Sequence, residues 1–241
     1  MINLFTLQNI TLFTEVIPLI FCVFFYSKLN TSELKVFFAY TISQTIFSFF
    51  CFKYAFLDSS FDKYLATLNL HLIAEFVLMS IFFLGLIEEK KVKKIIITII
   101  PLFLIYNIFA VYLNYQPIFR SQPTLFEFLF FMGLIIYYFF EKLIKSDQIL
   151  IYKNIYFWIS VGLFFYFSGN FFYMLLVEYS PGMSAEGKSQ LKIIYSAVTI
   201  SKNLILGLSF LASVNPTKKN DDNLLPQDLD LDTIKTNSSI N

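Results

Sequence analysis

Along the chain, long apolar stretches alternate with short polar ones, and the stretches are all of one length class. Near-continuous apolar runs of about 20 residues, each able to cross a hydrocarbon core of roughly 30 Å as a helix, occur seven times. They cover about Leu7 to Ser27, Leu34 to Phe56, Leu65 to Ile87, Ile95 to Tyr115, Thr124 to Ile144, Asn154 to Tyr179 and Gln190 to Val214. The run IIITIIPLFLI at 95–105 lacks the every-second-residue alternation of a barrel strand, so helices are expected. The predicted fold is therefore all-α: a polytopic seven-transmembrane-helix bundle over 1–215, followed by a polar segment over 216–241.

The basic residues give the bundle a direction, because Lys and Arg in short loops stay on the cytoplasmic side. Lys28, Lys35, Lys90, Lys91, Lys93, Lys94, Lys142, Lys145, Lys153, Lys218 and Lys219 fall on one face, eleven in all. Lys53, Lys63, Arg120, Lys188 and Lys192, five residues, fall on the other. The N-terminus is then expected outside and the C-terminus in the cytoplasm, with the protein multi-pass in the inner (plasma) membrane. No basic n-region precedes the first run, since the first positive charge is Lys28, so that run reads as a retained helix. The connection near Ser180 to Ser189, with its Pro-Gly step, reads as an external turn. After Pro216 the chain is rich in Asp and Asn and is expected to be a disordered cytoplasmic tail. No internal repeat is visible, which leaves an inverted-repeat transporter unsupported.

Composition agrees with the pattern: 57% of the 241 residues are hydrophobic and 15% charged, far more apolar than a soluble domain needs. Trp158, the single tryptophan, lies near a predicted helix end, as an interfacial belt residue does. A net charge of +1 offers no basic field for nucleic acid. Cys22 and Cys51 sit at different depths and are not expected to bond.

Several chemistries find no residues to carry them. His71 is the only histidine, and no G-x-S-x-G turn accompanies it. Neither G-x-x-x-x-G-K-[ST] nor G-x-G-x-x-G is present to cradle phosphates, and no Cys or His cluster has zinc spacing. No catalytic activity, metal or cofactor is expected.

Polar groups within the spans are the candidates for function, because ionisable groups in a bilayer core are costly. Counting from the external ends at about 1.5 Å per residue, Glu15 lies roughly 12 Å deep, Glu75 roughly 15 Å and Lys202 roughly 18 Å. Asn107 and Asn170 arrive at roughly 12 to 14 Å by the same count. His71 and Glu75 are four apart and share a helix face. Gly162, Gly169 and Tyr173 share a stripe of the sixth helix beside Asn170, permitting close approach and an inward hydroxyl. Pro18 and Pro101 can bend their helices and free carbonyls. Together these residues describe an outward-opening polar pocket. The plainer reading has Lys202 in a buried ion pair with Glu75 or Glu15, and Asn107 and Asn170 as interhelical hydrogen-bonders. Of the two carboxylates, Glu75 is nearer to Lys202 in depth and is the expected partner. Glu127, close to the start of the fifth helix, is expected to be solvated at the interface.

A lysine in the middle of a seventh helix, with carboxylates at its depth, resembles the retinal attachment site of rhodopsins. The chain departs from microbial rhodopsins in having no arginine in the third helix, and Val198 where an acid commonly precedes the lysine by four residues. The stretches HLIAEF at 71–76 and FWISVGLFFYFSGN at 157–170 carry a broader resemblance. They look like those of uncharacterised bacterial seven-helix membrane proteins similar to stand-alone membrane input modules of sensor kinases. That resemblance implies a receptor or sensor component signalling to a separate cytoplasmic or membrane partner through ligand-biased helix shifts. The alternative is a small transporter or an ion- or proton-conducting protein, which needs polar residues continuing to the inner side. There the spans offer little beyond Gln44 and Ser209, which favours the sensor; retinal binding through Lys202 ranks third.

Overall fold

The structure, a computed structural model, describes residues 10–58, 60–114, 121–145, 151–179 and 182–214. The expected tail and the first residues of the chain lie outside the described residues. Seven helices form and, among the described residues, no strand. Helix α1 is Ile10–Phe24; α2 is Ser32–Phe52, α3 Phe61–Leu86, α4 Lys90–Asn114, α5 Ser121–Lys145, α6 Ile155–Tyr179 and α7 Ala185–Leu208. The last six correspond to segments long and apolar enough to cross a membrane, whereas the described part of α1 is shorter.

Local sequence explains the breaks. Thr31 starts α2 by accepting a hydrogen bond from the Leu34 amide, and Ser184 starts α7 by accepting one from the Gly187 amide. Pro18 lacks the amide that would close a helical turn onto the Thr14 carbonyl, and α1 is interrupted by a turn residue at Glu15 before resuming over Val16–Phe24. The Glu15 carbonyl accepts from Thr45 Oγ1 on α2 at 3.4 Å. Pro101 lies inside α4, which continues as helix through it.

Six helices form a ring in which α2 packs on α3, α3 reaches α5, α5 packs on α6, α6 on α7 and α7 on α1, which also meets α2, while α4 joins it through α3. Helix α4 is peripheral: 17% of its most apolar window is buried, against 44% for α5 and α7. Its outward side chains, among them Ile97, Leu102, Ile105 and Phe109, are exposed and apolar, as a lipid-facing surface requires. Small residues set the closest approaches. A Cβ on Gly169 would stand 2.6 Å from the Val198 methyls of α7, and one on Gly207 would stand 2.9 Å from Ile17 of α1. Gly162 likewise faces Leu206, so the sixth helix uses its small residues as the sequence suggests.

Side-chain bonds tie the helix ends together at the lysine-rich face. Lys28 Nζ donates to the carbonyls of Phe210 and Ala212 at 2.6 and 2.8 Å, joining the end of α1 to the end of α7. The Glu141 carboxylate, at the end of α5, accepts from the amides of Glu88 and Glu89 between α3 and α4. Lys142 pairs with Glu88 at 2.6 Å, and the hydroxyls of Thr31 and Tyr156 share a hydrogen bond. Trp158, half-exposed near the start of α6, donates to the Tyr152 carbonyl.

Above this face the interior is filled by aromatic rings. Phe37 of α2 meets Phe82 of α3 and Phe210 after α7, with ring centroids 5.9 and 6.1 Å apart. Phe131 of α5 contacts Phe76 of α3 at 5.4 Å and Phe167 of α6 at 4.9 Å. All of these rings are fully buried. Cys22 and Cys51 are free thiols.

Candidate functional site

Beyond the aromatic layer, in the half of the bundle that holds the end of α2 and the starts of α3, α5 and α7, lies a cavity of about 220 Å³. Five of the seven residues picked out in the sequence line it: Glu15, His71, Glu75, Asn170 and Tyr173. Five helices, α1, α3, α5, α6 and α7, each send at least one polar side chain to it, and α2 adds Gln44 and Ser48.

Glu75 is the most heavily bonded group. Tyr40 Oη on α2 donates to Glu75 Oε1 at 3.1 Å, Tyr166 Oη on α6 reaches Glu75 Oε2 at 3.5 Å, and His71 Nε2 stands 3.7 Å from the same oxygen. The four-residue spacing of His71 and Glu75 thus brings both onto the cavity face, and the His71 ring packs at a tilt against Phe47 with centroids 5.3 Å apart. His71 Nδ1 is buried without a hydrogen-bond partner.

Lys202 does not bond to Glu75. Its Nζ lies 3.3 Å from Glu15 Oε2 on α1 and 4.4 Å from the centre of the Tyr166 ring, and the residue is 0% exposed. Depth alone favoured Glu75; the close packing of α1 on α7 at Gly207 decides for Glu15. One turn nearby, Asn203 Nδ2 donates to Thr14 Oγ1 at 3.1 Å and extends the same α1–α7 seam.

Asn107 departs from the expected set. Helix α4 is peripheral, and the Asn107 amide donates to the Phe103 carbonyl on its own helix at 2.8 Å. It is buried without lining the cavity.

Glu127 corrects the sequence reading in the other direction. Expected at a solvated interface, it is 0% exposed, lines the cavity, and has neither carboxylate oxygen in a hydrogen bond. Two features account for this. Helix α5 begins at Ser121, so Glu127 is nearly two turns inside it. It also belongs to the inward stripe of Thr124, Phe128, Phe131, Ile135 and Tyr138, all buried, and that helical spacing is visible in the sequence. Gln44, assigned to the inner half of its span, instead lines the cavity, and its Oε1 has no partner. Tyr40 and Tyr166, absent from the sequence-derived set, sit at helical spacing from Gln44 and Asn170, and only that periodicity could have indicated them.

Asn170 is 2% exposed and has no hydrogen-bond partner on either its amide oxygen or its nitrogen. Around it the wall is phenolic, with the rings of Tyr173 and Tyr195 tilted against each other at 5.0 Å between centroids. Among the described residues, no three His, Cys, Asp or Glu side chains converge where a metal ion could be held. Chemically the cavity offers carboxylate and amide acceptors inside an aromatic shell.

This architecture, six long apolar helices with exposed apolar flanks and a polar interior, is consistent with a multi-pass integral membrane protein. No protein-family model matches the chain, and neither does any curated protein or solved structure.

Proposed function

We propose that the chain is a seven-span receptor or sensor component of the plasma membrane, with its N-terminus outside and its C-terminus in the cytoplasm. The cavity admits a small ligand from the external side, and the resulting shift in helix packing is read by a separate cytoplasmic or membrane partner. The lysine and arginine asymmetry sets this orientation, and the resemblance to input modules of sensor kinases points the same way.

The observation that carries the reading is the one-sided distribution of polarity. Polar side chains from six helices surround the cavity, and the buried rings of Phe37, Phe82, Phe131, Phe167 and Phe210 fill the bundle between it and the lysine-rich face. A transporter or channel needs polar groups through that second half. The buried polar groups there include the single hydroxyls of Thr41, Ser80, Ser160 and Ser209, on three helices and the end of α7, and those of Thr41 and Ser209 are spent on the Phe38 and Leu206 carbonyls.

Cys51 lines the cavity, so a Cys22→Ala chain carries a single reporter thiol at the site. An impermeant maleimide applied to intact cells is expected to label it, as it labels Lys63→Cys but not Lys94→Cys in a chain lacking both native cysteines. Labelling of Cys51 only after permeabilisation overturns the orientation. Labelling of Phe82→Cys from the cytoplasmic side would show a continuous path and favour the transporter.

A further inference from the structure

The cavity holds an imbalance of charge and hydrogen-bonding capacity. Three carboxyl groups, Glu15, Glu75 and Glu127, face it, and one lysine stands beside it. That lysine is committed to Glu15, and Glu75 is served by two tyrosine hydroxyls. Glu127 receives no donor from the protein, and the Asn170 amide is equally unmatched, although both are buried. An unpaired carboxyl in a low-dielectric interior is costly, and that cost is relieved by a partner that brings donors and positive charge.

The surroundings narrow the class of that partner. An anion would meet carboxylates and, among the described residues that line the cavity, no lysine or arginine to offset them. A bare metal ion lacks a converging ligand set among the described residues. The wall contains the aromatic rings of Tyr173, Tyr195 and Phe128, a side-chain class whose negative faces attract ammonium groups. Lys202 demonstrates the preference within the same bundle by placing its own ammonium 4.4 Å from the Tyr166 ring centre. At about 220 Å³ the space is below the usual range for drug-sized ligands, which excludes a peptide or an intact lipid.

We infer that the cavity binds a small organic cation, an ammonium-bearing molecule whose charged end is held by Glu127 and the Asn170 amide oxygen and whose apolar body lies against the tyrosine wall. The inference rests on the reading of the cavity as an outward ligand pocket and adds the chemistry of what it takes. Glu75, kept in place by Tyr40 and Tyr166, supplies a second carboxyl group without giving up its own bonds.

A matched series tests this on the full chain in lipid nanodiscs: 2-phenylethylammonium, the neutral 2-phenylethanol and the anionic phenylacetate, each titrated against thermal unfolding and isothermal heat. The ammonium is expected to raise the melting temperature saturably, with no comparable response to the other two. Its affinity is expected to fall at least tenfold in Glu127→Gln and to weaken in Asn170→Ala. Binding of the alcohol or the carboxylate as tight as that of the ammonium would overturn the cation assignment, as would no saturable response to any of the three. If Glu127→Gln fails to fold, the series on the unaltered chain and Asn170→Ala decide the matter. The pocket reading is judged separately by Cys51 labelling, so a reachable Cys51 with no ammonium selectivity defeats this inference alone.

Discussion

Lys202 Nζ and Glu15 Oε2 stand 3.3 Å apart at the seam where the first helix meets the seventh, with the lysine wholly buried. Each offsets the other's desolvation, so removing one partner leaves an uncompensated charge in the interior. Glu15→Gln or Lys202→Met alone is expected to destabilise the protein by about 3 to 5 kcal/mol, and the double variant by clearly less than the sum. Pairing Lys202→Met with Glu75→Gln should give a smaller coupling. The measurement is thermal unfolding in nanodiscs, and additive losses for Glu15 and Lys202 would show that the pair does not hold.

Tyr40 and Tyr166 present hydroxyls to the two oxygens of Glu75 at different lengths, 3.1 and 3.5 Å. Tyr40→Phe should therefore cost more than Tyr166→Phe, about 1 to 3 kcal/mol against less than about 1, because the longer contact is the weaker bond. Tyr166→Leu is expected to cost more than Tyr166→Phe, since it also removes the ring beneath the Lys202 ammonium. Unfolding midpoints of the three variants check the order.

Glycines at helix contacts and in open positions should respond oppositely to enlargement. Gly169→Val drives side-chain atoms into Val198 and is expected to cost about 1 to 3 kcal/mol or more through separation of α6 from α7. At Gly133 nothing stands within 4 Å of an added Cβ. Gly133→Ala should then be neutral or gain up to about 1 kcal/mol from helix propensity. Equal losses at both positions would mean that helix contact is not what Gly169 provides.

Retinal is not expected to react with Lys202. The amine is fully buried, paired with Glu15 and covered by Tyr166, and the adjoining cavity is small for a long polyene. Incubation with all-trans retinal should produce no protonated Schiff-base absorbance. A band that disappears in Lys202→Ala would reverse the expectation.

Helix positions were legible in the sequence because bilayer thickness fixes run length, and the six long helices fall where the apolar runs predict. Which polar side chains meet was legible in part, since Glu15, His71, Glu75, Asn170 and Tyr173 line one cavity, while Gln44 was assigned to the wrong half of its span. What a linear count does not supply is rotation about the bundle axis or the order of packing. Asn107 lies on a helix that sits outside the ring, and Lys202, expected to meet Glu75 by its residue count, touches Glu15 instead. Glu127 was misplaced because a helix start set three residues too late made a deep residue look superficial. Its membership of the Thr124, Phe128, Phe131 stripe was the available signal, and it was masked by the expectation that an acid near a helix end seeks water.

The contact of Lys28 with the carbonyls of Phe210 and Ala212 bears on how the protein is made. A ribosome emits Lys28 long before residue 210, so the oldest helix must wait in the bilayer for the youngest. During that wait Glu15 and Thr14 lack the partners that Lys202 and Asn203 later supply. The nascent chain is thus an open arc, and arrival of α7 closes it into a ring. Closure of the ring is then a single late latching event, and quality control that senses an unlatched α1 would distinguish open rings from closed ones.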